Sequence, residues 1–412
     1  MITTTQPVTR DDSAGAVTSG RIGVGVGAGA GAAAVWTVRV AVDFAAVAGA
    51  WAGLEAEAVF SGYQRRDWCA AFLATIGAGT TPCLAVVADA SGAPQGLLPL
   101  AIDDEHGLGV AGFIGGKHCN FGMGLWRPAF AAQLRAADVA AILDAVARQA
   151  PRRIDLFRLA SQPECWDGLA NPFGLLPRLP AASDGYRLRL GGDADTVLAG
   201  AVSASARRKL RKKEKALAGH GPLAFVRARD PDEAGSLADA FLAQKAARCR
   251  TRGITDAFAV PGARAFIVEG ATASAAGDRP PLILYGLTVG AEPVAVFGGT
   301  VARGRFCGMF TAVTSGPLAR YSPGEILMHR VVRACCEDGL ATFDLGVGSA
   351  RYKTSLCPET ELLFDQFVPV TWRGQAAAAA YGAATRLKRQ VKNSARLWPI
   401  VEALRRARGR LT

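Results

Sequence analysis

The stretch RYSPGEILMHRVVRACCEDGLATFDLGVGSARYKTSLCP, residues 320–358, decides how the rest of the chain is read. Ser322 is a good N-cap, Pro323 suits the first helical position, and Glu325 stands where a Ser-x-x-Glu capping box places it. Ile326, Leu327, Val331, Ala334 and Cys335 recur near helical spacing, and Gly339 stops the helix as a C′ glycine does. Thr342–Val347 follows as a strand, with Phe343, Leu345 and Val347 on one face and Thr342 and Asp344 on the other. Gly346 and Gly348 remove side chains where that strand ends, which lets a partner approach the backbone. A short second helix then carries Arg351, Tyr352 and Lys353. A helix springing from a tight Ser-Pro-Gly turn offers unpaired N–H groups and a positive dipole end, a setting that suits phosphate. The same local pattern fits any capped helix of an α/β protein, so its surroundings have to decide.

Upstream, the same order of elements is written twice. Val35–Val42 reads as a strand, Phe44–Ala58 and Trp68–Ile76 as helices, and Cys83–Ala88 with Gly96–Ile102 as a hairpin. Leu108–Ile114 adds a strand, Ala137–Ala150 a helix and Ile154–Leu159 a further strand. After a proline-rich passage, Tyr186–Leu190 restarts the series. A helix over Ala194–Ala218, a strand at Leu223–Arg227, and helices at Asp232–Arg250 and Gly262–Ala275 come next. Leu282–Val289 and Pro293–Val301 form a second hairpin, and Arg305–Val313 precedes the opening stretch. Leu362–Trp372 is expected to close the second sheet. Two halves with one element order predict tandem copies of an α/β unit with mixed sheets. The expected division is a Gly/Ala-rich disordered leader over 1–34, an N-terminal lobe over 35–184, a C-terminal lobe over 185–374 and a basic helical tail over 375–412. Glycines at 23, 25, 27, 29 and 31 never supply the third position of a G-x-G-x-x-G loop, and the leader is not read as a dinucleotide site.

With 412 residues, half of them hydrophobic, the chain can bury more than one core. No apolar run reaches transmembrane length, and residues 1–20 lack the basic n-region of a secretory signal. Nine cysteines without a C-x-x-C pair, and four isolated histidines, fit reduced thiols and argue against a zinc site. The expected location is cytoplasmic, with the tail a possible peripheral contact at the inner membrane. The net charge of +12 is concentrated in RRKLRKKEK at 207–215 and in residues 386–412, leaving the remainder slightly acidic. In the first patch Arg207, Arg208 and Arg211 are candidates for an anionic partner, or a solvated face with Leu210 and Leu217 turned inward. Few aromatics lie nearby for base stacking, which speaks against general nucleic-acid binding. In the tail, Leu387, Val391, Trp398, Val401, Leu404 and Leu411 suggest an apolar stripe, docked on the body or laid on an anionic membrane.

The Tyr-Ser-Pro-Gly turn, the helix closing on Gly339, the Phe343-Asp344-Leu345-Gly346 strand and Arg351-Tyr352-Lys353 together resemble the acetyltransferase domain of the cellulose-biosynthesis CelD/BcsL group. This group has a BioF-like acetyltransferase domain and is a branch of the GNAT superfamily related to the FemAB/FemX aminoacyl transferases. The resemblance spans most of residues 36–372. It implies tandem GNAT-like lobes and an acyl-CoA-dependent N- or O-acyltransferase, with acetyl-CoA as co-substrate and a sugar, polysaccharide or cell-envelope precursor as acceptor. Two alternatives stand beside it: a FemAB-like transferase using aminoacyl-tRNA, and a non-catalytic accessory protein of a polysaccharide synthase. The usual GNAT pyrophosphate signature, Arg/Gln-x-x-Gly-x-Gly/Ala, is absent: Pro323 stands three residues after Arg320, and Phe310 takes the final small position after Arg305 and Gly308.

On that reading the amides around Tyr321, Ser322, Gly324 and Glu325 cradle the coenzyme's phosphates. The strand through Cys307, Gly308 and Met309 supplies a backbone donor to the developing oxyanion where it splays from the Asp344 strand. The resemblance places Tyr352 where GNAT enzymes hold a tyrosine that protonates the leaving thiolate; a lid residue packed on the core would look the same. Asp344 is a candidate general base, or an ion-pair partner of Lys353 or Arg351. Lys353 and Arg248 are further candidates for substrate or phosphate binding.

Overall fold

The computed structural model describes residues 23–25, 36–273, 279–348, 350–394, 396–399, 401 and 403. The leader assigned to 1–34 lies outside these except for Gly23–Gly25, a short strand on the edge of the first sheet, and Leu404 and Leu411 lie outside as well.

Apolar strands, two of them buried on both faces, build the first sheet from β1 (Trp36–Ala41), β2 (Thr81–Asp89), β3 (Pro94–Glu105), β4 (Leu108–Phe113) and β5 (Leu156–Pro163). Helices α1 (Ala48–Glu57), α2 (Arg66–Ala74) and α3 (Ala136–Gln149) pack around it. The chain then enters the second lobe through β6 (Gly185–Arg189). Here the single helix expected over 194–218 is broken at Val202–Ser203 into α4 (Ala194–Ala201) and α5 (Ala204–Ala218). Ser203 is the reason: its hydroxyl accepts from the Ala206 N–H at 3.3 Å and starts a fresh helix. The strand β7 (Leu223–Arg227), the helices α6 (Pro231–Arg252) and α7 (Ala263–Thr272), and the strands β8 (Ile283–Val289), β9 (Glu292–Ala302) and β10 (Arg305–Val313) follow. The opening stretch becomes α8 (Pro323–Glu337), β11 (Thr342–Val347) and α9 (Arg351–Leu356), as its pattern predicts. The chain ends in β12 (Glu359–Glu361), β13 (Leu363–Pro369) and α10 (Trp372–Asn393).

The second sheet runs β7-β8-β9-β10-β11-β6-β12, antiparallel except for the parallel pair β10–β11. Its core is a separate cluster built on Phe297, Phe306, Phe343 and the buried face of α8. The strand expected to close this sheet does not do so. β13 crosses back and pairs antiparallel with β5 in the first sheet, Leu363 opposite Pro163 and Pro369 opposite Leu156. A period-2 pattern marks a strand and a buried face but says nothing about which sheet receives it. The tail helix α10 docks on this same region. The Tyr381 hydroxyl donates to Glu105 Oε2 at 2.6 Å, Lys392 Nζ donates to Ser183 Oγ at 2.6 Å, and Tyr381 stacks on Phe367. Leu387, expected in the docked stripe, instead faces solvent.

Candidate active site

β10 and β11 pair in parallel over three residues only, Arg305–Cys307 against Thr342–Asp344, and then part. Glycines permit the fork. A Cβ on Gly308 would sit 2.7 Å from Asp344 O, and one on Gly346 would sit 2.6 Å from Gly308 O, with φ +68° at Gly346. Beyond the fork β10 continues to Val313 paired with β9 alone, and the register slips by one residue at Met309, a β-bulge that increases the local twist. Bulges recur next to active sites, and this one sits where the two strands separate.

The fork is held from below by a buried ion network. Arg305, 2% exposed, donates Nε to Asp344 Oδ2 at 3.0 Å and Nη2 to Glu361 Oε2 at 2.7 Å. Arg187 Nη1 donates to the same Glu361 oxygen at 3.0 Å. The guanidinium lies over the Trp166 ring, 3.5 Å from its centroid, so a first-lobe side chain covers a second-lobe charge. Burial works against the charge of Arg305, but Asp344 and Glu361 outweigh it and hold its pKa above the usual range. Asp344 itself is wholly buried; burial pushes its carboxyl up against the pull of Arg305, and Oδ1 accepts from the Gly346 N–H at 3.3 Å. Its hydrogen-bonded charge partner is thus Arg305, a position that suits a strut for the fork.

The first lobe also reaches the fork directly. The Tyr63 hydroxyl donates to Gly308 O at 3.1 Å, and Asn120 Nδ2 donates to Gly308 O at 2.8 Å and to the Tyr63 oxygen at 3.1 Å. Neither residue stands out in the sequence. Tyr63 lies within a small Ser61–Gln64 capping box and Asn120 follows a single 3-10 turn, and only the docking of the lobes gives them a target.

On the far side of the fork lie Tyr352, Lys353 and Arg248. Lys353 Nζ donates to Val347 O at 2.9 Å and Gly346 O at 3.3 Å, and burial lowers its pKa to about 8. Burial raises the Tyr352 phenol, against the opposing charge of Arg248. Arg248 comes from α6, whose own guanidinium is lowered by burial. Arg248, about a hundred positions upstream, is thus brought close enough to act on the adjacent pair Tyr352-Lys353 through Tyr352. A phenol kept protonated near neutral pH can give a proton and cannot take one.

The Ser-Pro-Gly turn departs from its expected cap. Ser322 is left-handed at φ +56° and makes no side-chain cap, and Glu325 is exposed without closing a capping box. The Ser322 hydroxyl is turned outward instead and accepts from Lys213 Nζ of α5 at 2.7 Å. Pro323 has no N–H, and Glu325 and Ile326 donate to Ser322 O, so the Gly324 N–H has no hydrogen-bond partner among the described residues. Arg320 Nη2 donates to the Tyr321 hydroxyl at 2.8 Å, and that oxygen lies 2.9 Å from His220 Nε2. The basic helix thus packs against the start of α8, bringing together two features that the sequence shows separately. An open cleft of about 570 Å³ beside it is lined by Arg211, Lys215, Glu214 and Arg330. Arg208 is exposed, and Arg207 donates Nε to Val202 O, closing the end of α4. Cys307 and Met309 flank Gly308 at the fork, where burial raises the Cys307 thiol and Met309 is half-buried. Among the described residues no cluster of His, Cys, Asp or Glu is arranged to hold a metal, and no helix is long and apolar enough to cross a membrane.

Residues 204–354, which contain α5, the fork, α8 and Tyr352, match the family model of the acetyltransferase (GNAT) domain. No curated protein matches the chain. Among solved structures, FemX aligns with a TM-score of 0.54 at 11% identity, covering 81% of this chain and 98% of its own. A conserved protein of unknown function from Bacteroides thetaiotaomicron aligns at 0.49 and 14%, covering 81% of this chain and all of its own. A tandem GNAT protein from the clavulanic acid biosynthesis pathway aligns at 0.46 and 14%, covering 82% and 99%. The fork, the helix that follows it and the family match fall in one segment: residues 204–354 carry a GNAT acetyltransferase domain, an acyltransferase unit, within a chain whose mixed α/β fold is like that of FemX.

Proposed function

We propose that the protein transfers an acyl group, most simply acetyl from acetyl-CoA, directly to an amine or hydroxyl of a sugar, polysaccharide or cell-envelope precursor, as in the cellulose-biosynthesis CelD/BcsL group. The observation that carries the reading is the fork itself, a sheet opened at Gly308 beside a helix start with a free amide. A pantetheine arm would add to the unpaired edge of β10 beyond Gly308, as an extended chain adds to a sheet. The Gly324 amide, Lys213 and the dipole of α8 would receive the diphosphate. Tyr352 would protonate the departing thiolate, and Asp344 would hold the fork through Arg305.

Acetyl-CoA at about a hundred times its Kd should stabilise the folded chain by about 2.7 kcal/mol, read as a rise in Tm. Lys213→Ala should weaken that binding by about tenfold, the size of one lost charge-assisted contact. No shift with acetyl-CoA, but one with aminoacyl-tRNA, would transfer the assignment to a tRNA-dependent donor. That second reading draws on the missing Arg/Gln-x-x-Gly-x-Gly/Ala signature and on the seven basic residues of 207–215 beside the turn. No response to either donor would favour the accessory role.

Lys353 gives a pH test. A free lysine titrates near about 10.4, whereas this one titrates at about 8 in the fold. The folded state therefore binds fewer protons between those values. The cost of burying the ammonium is fully present below pH 8 and is relieved as pH rises toward the unfolded value. Lys353 should thus add stability on going alkaline, while its charged contact at the fork is lost. Acetyl-CoA affinity is expected to fall as pH rises through about 8, with no matching fall in Tm from this group. Isothermal titration across that range checks it, and Lys353→Met should flatten the step.

A further inference from the structure

The tail helix α10 docks by one side only, and its other side is chemically unusual. Trp372 is 81% exposed and Leu387 61% exposed, and Ala376, Ala379 and Ala383 between them are exposed too. At the helical turn of roughly 100° per residue these five fall within roughly 80° of one another. Gly374, Tyr381, Gly382 and Arg389 lie on the opposite side, where Arg389 donates to Ala181 O and Tyr381 to Glu105. Arg386 flanks the apolar face on one side, and Arg373, which donates to Gly107 O at 3.0 Å, on the other. The helix carries Arg373, Arg386, Lys388, Arg389 and Lys392 and no acidic residue, and none occurs between Asp365 and Glu402.

We propose that this outward face of α10 lies on an anionic phospholipid surface, with Trp372 and Leu387 inserted at the headgroup boundary and Arg373 and Arg386 over lipid phosphates. An exposed tryptophan at one end of an apolar stripe, bordered on both sides by cations, is the pattern of an interfacial helix lying in the membrane plane. The uniform positive charge complements an anionic leaflet. It disfavours a second copy, because a two-fold contact would set the same basic patch against itself. The docked side contributes the other half of the argument: Tyr381, Lys392 and Arg389 fix the helix on the first sheet, so its exposed face is presented without a folding cost on binding.

The test uses the full chain with vesicles of phosphatidylcholine alone and of phosphatidylcholine containing about one-third phosphatidylglycerol. Co-sedimentation with the anionic vesicles only is expected, weakening as salt is raised. Trp372→Glu with Leu387→Glu should lower vesicle binding by at least about tenfold while leaving Tm and acetyl-CoA binding unchanged. Val42→Glu, at an exposed apolar site just past the strand Trp36–Ala41, well away from α10 in the strand order, should leave vesicle binding intact. Absence of binding to anionic vesicles, equal binding by the double variant, or a concentration-dependent dimer abolished by that variant without any vesicle binding would each overturn the proposal. Loss of acetyl-CoA binding in the wild type would sink the donor assignment and leave this one standing.

Discussion

Tyr352→Phe is expected to lower kcat by about a hundredfold, the low end of what a positioned acid contributes, with acetyl-CoA affinity unchanged. The reasoning starts from the fold. Three residues separate α9 from the strand that leaves the fork, and on the proposed reading its first turn would bring Tyr352 to the thioester. Burial keeps the phenol protonated, and the charge of Arg248 opposes that shift, so the proton is both present and available. Phenylalanine retains the ring and its packing against the second core and removes only the hydroxyl. A fall in kcat and kcat/KM together, with binding intact, marks an interaction made in the transition state. Stopped-flow release of the thiol, compared with equilibrium titration of acetyl-CoA, separates the two. Wild-type turnover in Tyr352→Phe would reduce the residue to a lid.

Arg305→Ala is expected to have the largest effect on stability, about 3–5 kcal/mol, because it strands Asp344 and Glu361 without a counter-charge in the interior. Arg187 still reaches Glu361, but Asp344, wholly buried, keeps only the Gly346 amide. The Trp166 ring loses the cation it covers, so the contact between lobes weakens as well. Urea denaturation should show the loss as a lower midpoint. Arg305→Met combined with Asp344→Leu and Glu361→Gln should recover much of it, because an apolar replacement of a whole buried network is often nearly neutral. A single Arg305→Ala change costing less than about 1 kcal/mol would mean that water reaches the network and screens it.

These two residues differ in how visible they are from sequence. Tyr352 is visible because it stands on a helix after a glycine-ended strand, a local arrangement that folding preserves. Arg305 reads as the first residue of a strand and of an incomplete pyrophosphate signature, and Glu361 falls outside every expected element. Their meeting depends on β6 and β12 bringing Arg187 and Glu361 beside β11. The strands β10 and β11 were legible to the residue because each is bounded by turn residues and patterned for burial on both faces. The cap at Ser322 was misjudged because Ser-x-x-Glu encodes a capping box only when serine is extended. Here the left-handed backbone swings the hydroxyl toward Lys213, a residue more than a hundred positions away. Tyr63 and Asn120 carry no signal of their own. A carbonyl that needs donors at a fork is a tertiary fact, and the sequence near those residues describes only small turns.

The return of β13 to the first sheet shapes how the chain can be made. Leu156–Pro163 finds its neighbour about two hundred residues downstream, with Gln162 Nε2 reaching Gln366 Oε1 across that interval. During synthesis the leading lobe must therefore wait, one sheet edge bare, until the trailing lobe has left the ribosome. Long-range pairing of this kind slows assembly and exposes intermediates to aggregation. Neither half should be obtainable alone by cutting at the linker near Gly185, and nascent chains stopped before Leu363 should be selectively engaged by chaperones.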